Sequence, residues 1–114
     1  MRNSSKRKAG RTLDYRDYLL SSLKNDREHQ VGYLTAALEE TPDVFLICLK
    51  DVVDAQGGMT RLAKKTGMHR VSLHNVLSAK GNPRLDTLTK ILAALGIRIA
   101  LTPLAQVRKR KKAS

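Results

Sequence analysis

Residues 58–78 read GMTRLAKKTGMHRVSLHNVLS, and this stretch leaves the chain few options. Two short segments with apolar residues at helical spacing lie on either side of one glycine, so two helices must meet at a tight turn. Leu62 faces inward from the first, and Ala63 is the small residue the second helix needs where it crosses. Gly67 stands where the turn requires tolerance of positive φ, and Met68 plugs the turn. Leu73, Val76 and Leu77 form the inner face of the second helix. Taking Leu73 as the inward direction and stepping about 100° per residue, Val71, Asn75 and Ser78 point outward, with Ser72 and His74 on the flanks. His69 and Arg70 project from the N-terminal end.

The rest of the chain is organised by similar signals. Tyr15, Tyr18, Leu19 and Leu23 recur at intervals of three and four, predicting a helix that stops near Lys24-Asn25-Asp26. A second helix is expected from Asp26 to Glu40, with Val31, Leu34, Ala37 and Leu38 as its apolar stripe and Asp26 and Glu28 placed favourably in its first turn. Thr41 can cap a third, with Pro42 at its first position, running through Phe45, Leu46, Leu49, Val52 and Val53 to the Gly57-Gly58 pair. After the polar loop Ser78–Pro83, Leu85, Leu88, Ile91, Leu92 and Leu95 define a last helix closed by Gly96. Ile97, Ile99 and Leu101 then alternate with Arg98, Ala100 and Thr102, the period of a short strand, which must pair elsewhere in the chain or across a dimer. The expected fold is all-α: a compact bundle of about six helices containing a helix-turn-helix at 59–78, with a short C-terminal β-strand. Residues 13–103 form the domain, between a basic tail over 1–12 expected to be disordered until bound and a second basic tail over 104–114.

Charge narrows the function classes. The formal net charge is +12, and it is unevenly spread. Residues 12–57 hold nine acidic and four basic side chains; residues 58–107 hold eight basic ones against Asp86 alone, and both ends are cationic. This asymmetry predicts a polyanion as partner for the second half and a different partner for the first. The longest apolar run, Val44–Leu49, falls far short of the roughly 20 residues of a membrane helix, which points to a soluble cytoplasmic, nucleoid-associated protein. Cys48 lies inside that run and reads as a small buried hydrophobe. His69 and His74 are five apart, not the four that aligns two ligands on one helical face, and no cysteine or carboxylate cluster joins them, so no metal or other cofactor is expected. No nucleophile elbow accompanies Ser72, His74 and Asp86, and no phosphate-binding P-loop is present, so the chain does not read as an enzyme.

The spacing Leu62-Ala63, Gly67-Met68, Leu73 and Val76-Leu77 resembles the helix-turn-helix of the lambda and Xre-type repressors. More widely, DYLLSSL, YLTAALEE, GGMTRLAKKTGM, VSLHNVLSAKGNPRLDTL and ALGIRIALTP in that order resemble the addiction-module antidote family related to HigA. The resemblance implies an all-helical antitoxin that binds operator DNA as a dimer, represses its own operon and neutralises a small ribosome-dependent mRNA-cleaving toxin of the RelE/HigB type. On that reading Arg70 can fork onto guanine, Asn75 can pair with adenine and Val71 can lie against a thymine methyl, with His69 and His74 beside them. Arg61, Lys64, Lys65, Ser72, Ser78 and Lys80 would contact phosphates. Ile97, Ile99 and Leu101 are the candidate dimer element, and Tyr15, Tyr18 and Tyr33 in the acidic half are candidate toxin anchors. Two departures stand out: Met59 occupies a position where phage-type repressors often place a phosphate-holding Gln, and His69 stands where Ser or Thr usually caps the second helix. A stand-alone phage-type repressor without a toxin, or a non-specific nucleic-acid-binding basic protein, would share much of this pattern.

Overall fold

A computed structural model describes residues 15–78 and 82–104 of the chain. The tails expected over 1–12 and beyond 104, and Lys80, lie outside the described residues. Among those described, six helices follow one another: α1 over 15–23, α2 Arg27–Leu38, α3 Pro42–Ala55, α4 Gly58–Thr66, α5 Arg70–Val76 and α6 Leu85–Ala94.

Local chemistry sets these boundaries. The Asp26 carboxylate accepts from the His29 N–H at 3.0 Å and starts α2. The Thr41 hydroxyl accepts from the Val44 N–H at 3.2 Å and starts α3, with Pro42 in the first turn, where its missing N–H costs nothing. Gly57 at φ 114° separates α3 from α4. Helix α3 is the central element: Phe45, Leu46, Leu49, Val52 and Val53 are buried against α2 on one side and α4 on the other. Each such side chain taken out of water contributes about 1.5–3 kcal/mol. Leu23 from α1, Leu62 from α4, Leu73 and Leu77 from the α5 region, and Ile91 and Leu92 from α6 complete one core.

Two polar clusters tie the elements together. The buried Asp51 of α3 accepts from Arg16 of α1 and from the Tyr33 hydroxyl of α2, both at 2.7 Å, and Arg16 also reaches Asp54 at 2.5 Å. Gln30 is only 1 % exposed; its Nε2 donates to the Leu23 carbonyl, and its Oε1 accepts from Gln56, which also donates to the Leu95 carbonyl. The second cluster joins the ends of α1, α3 and α6 to the body of α2. Every buried side-chain nitrogen or oxygen among the described residues has a partner.

Two expectations are corrected. Ile97–Leu101 is not a strand: residues 97–103 have no regular structure, and no strand occurs among the described residues. The reason lies at the end of α6, where Gly96 at φ 81° donates to the Ala93 carbonyl and Ile97 donates to the Leu92 carbonyl. That pair of bonds is a Schellman closure, which folds the chain back so that Ile97 packs on the core. In α2, Leu34 and Ala37 are buried as expected, but Val31 and Leu38 are exposed, because Gln30 completes the inward face at i, i+4 and i+7.

Candidate nucleic-acid interface

Helices α4 and α5 meet at a turn built by two residues. Gly67, at φ 75°, donates to the Ala63 carbonyl at 2.8 Å and ends α4. The buried Thr66 hydroxyl donates to the Leu62 carbonyl at 2.9 Å and accepts from the Met68 N–H at 3.2 Å, so one side chain fixes both sides of the turn. Thr66 carries no sequence signal for this role, since a threonine near a helix end is common on any surface.

What the turn presents is asymmetric. Leu73 is fully buried and Leu77 nearly so, with Val76 packed against the same core. His69, Arg70, Val71, Ser72, His74, Asn75 and Ser78 are all exposed, Val71 at 71 %. The outward set expected from a 100° step is therefore the set the fold leaves outside. His69 precedes α5 in extended conformation and makes no side-chain capping bond. Met59 is buried, which removes it from any surface contact. Arg61, Lys64 and Lys65 are exposed along α4, and none has a carboxylate within 4.0 Å among the described residues. An exposed row of donors and cations with one apolar side chain among them can take up base edges and phosphates in the way duplex DNA requires.

The other candidate residues lie elsewhere. Tyr15 and Tyr18 are exposed on α1, whereas Tyr33 is half-buried; desolvation by burial, together with the hydrogen bond to Asp51, holds its phenol well above the ordinary tyrosine range. Ile99 and Leu101 are exposed, Leu101 at 92 %. Ile97 and Ile99 join Val31, Leu34, Leu38 and Phe45 along an apolar groove of about 400 Å³ between α2 and α6. Among the described residues no three His, Cys, Asp or Glu side chains are placed to hold a metal ion, and no helix is long and apolar enough to cross a membrane.

Residues 11–103 match a family described as "probable addiction module antidote protein". A relative from Haemophilus influenzae, an uncharacterized protein, is 33 % identical over 76 residues, spanning 66 % of this chain and 76 % of its own length. No solved structure matches the chain.

Proposed function

The chain belongs to the addiction module antidote family, and on that premise we propose that it is a DNA-binding antitoxin that represses its own operon. The outer face of α5 carries this reading: a helix with one buried side chain and a full outward row of Arg, His, Asn, Ser and Val has no structural use for that row. In the proposed complex α4 and α5 act as a helix-turn-helix. Arg70 and Asn75 read base edges, with His69, Val71 and His74 beside them, and Arg61, Lys64, Lys65, Ser72 and Ser78 hold phosphates. Repression follows from occupying the promoter. The function is one of binding, not catalysis.

An antidote has a toxin, and the chemistry of the acidic half suits a basic protein of the RelE/HigB type, with the exposed Tyr15 and Tyr18 as anchors. A second copy of the chain is the proposed occupant of the apolar groove, since Ile99 lines it while remaining exposed and a two-fold pair doubles the half-site that is read. Ile99→Asp should then convert a dimer to a monomer in sedimentation; an unchanged dimer rejects that face.

The deciding experiment is equilibrium binding to the upstream DNA of its own gene and to a scrambled duplex, at several salt concentrations. Wild type should prefer its own DNA by about a hundredfold or more. Arg70→Ala/Asn75→Ala should abolish that preference, each bidentate pair being worth about 1–3 kcal/mol of discrimination. Equal binding to both duplexes, unaffected by the substitutions, would reject base reading by α5.

A further inference from the structure

Away from α5, Lys24 and Arg27 at the α1–α2 corner face Arg61 and Lys65 of α4 across a cleft of about 360 Å³. No carboxylate lines it, and none of the four cations has one within 4.0 Å among the described residues. The cleft is also lined by Gln30 and Gln56, whose amides already bond to each other and to the Leu23 and Leu95 carbonyls. The cations therefore satisfy nothing in the fold. Their mutual repulsion is a cost that an anion between them would relieve.

Two of them also lie against glycine backbone. A Cβ on Gly57 would lie 2.6 Å from Cδ of Arg61, and one on Gly96 would collide with the guanidinium of Arg27. Both glycines sit at positive φ, and their bare Cα surfaces let the arginine side chains lie down on the backbone. A guanidinium fork matches the oxygens of a tetrahedral oxyanion.

We infer that this cleft is a phosphate site, formed jointly by the α1–α2 corner and α4. The group it takes is a phosphate, supplied either by the backbone of the DNA flanking the α5 footprint, in which case the inference rests on the DNA-binding reading above, or by free phosphate.

The test uses the full chain and the variant Lys24→Gln/Arg27→Gln, with Arg27→Lys as a control that keeps the charge and thermal melts to show that each is folded. One arm measures the slope of log K against log salt on the upstream DNA; the other titrates inorganic phosphate at constant ionic strength, read by amide chemical shifts. If DNA supplies the phosphate, the double variant lowers the slope by about 0.9 and keeps the sequence preference, and Arg27→Lys restores most of the slope. If free phosphate is the ligand, the slope stays and saturable phosphate shifts around residues 24–30 and 57–65 vanish in the double variant. An unchanged slope together with absent or unchanged phosphate shifts overturns the site. A lowered slope in a protein with no sequence preference would keep the site while rejecting base reading, so the two ideas fail separately.

Discussion

Between α1 and α3, one group of charges works inside the fold: Arg16, Asp51, Asp54 and Lys50 engage one another, and Tyr33 completes the cluster. Along α4 and α5, Arg61, Lys64, Lys65 and Arg70 face outward with no carboxylate within reach among the described residues. The formal charges of the two halves differ in sign, but the difference in use says more. A paired charge is explained once its partner is named. An unpaired row on a short helix contributes nothing to the fold and is left free for solvent or for a ligand.

Substitutions can break this contrast, and Asp51→Ala should have the largest effect. It leaves Arg16 and the Tyr33 hydroxyl without their common acceptor, costing about 1–3 kcal/mol in denaturant unfolding while sequence preference on DNA persists. A loss below 0.5 kcal/mol would mean that the cluster is ornamental. Thr66→Val comes next, at about 1 kcal/mol, because the Met68 N–H loses its acceptor; here DNA affinity should fall with stability, since the turn aims α5. A stable variant with wild-type affinity would show that Gly67 alone sets the turn.

Smaller still is the effect of Tyr33→Phe, and it depends on pH. Burial and the bond to Asp51 raise the Tyr33 pKa in the folded state, so its contribution is fully present below the unfolded value of about 10 and is lost as pH climbs beyond it. The variant should be about 1 kcal/mol less stable than wild type at pH 7, with the two stability curves converging above pH 10. Parallel curves would contradict a neutral, hydrogen-bonded phenol. Least disruptive is Lys64→Gln: stability should hold within about 0.5 kcal/mol while the salt slope on DNA falls by about 0.9. If stability dropped instead, the two halves would not differ in the way described.

Much of this arrangement is legible in the residues themselves. Thr41-Pro42 and Gly57-Gly58 bracket α3 because capping and positive φ are local demands, and the burial of Leu73 against the exposure of Val71 follows from helical geometry. The strand expected at Ile97–Leu101 fails because alternation over five residues cannot register a Schellman closure one residue earlier. Val31 and Leu38 read as inward on apolarity alone, whereas Gln30, a polar residue that the core accepts through two partners, the Leu23 carbonyl and the Gln56 amide, takes the inward position. The bonds Tyr33–Asp51 and Gln56–Gln30 span 18 and 26 residues, and no local pattern encodes them. The convergence of Lys24 and Arg27 on α4 is likewise a product of packing.

The Gln30–Gln56 pair has a consequence for anyone measuring this protein. Amides do not titrate, and a buried amide-to-carbonyl bond is barely touched by counterions, so this joint, unlike the Arg16–Asp51–Tyr33 cluster, is blind to both proton and salt concentration. A change of stability with salt or pH therefore reports on the Arg16–Asp51–Tyr33 cluster and the charged surface, while the amide joint keeps its strength throughout.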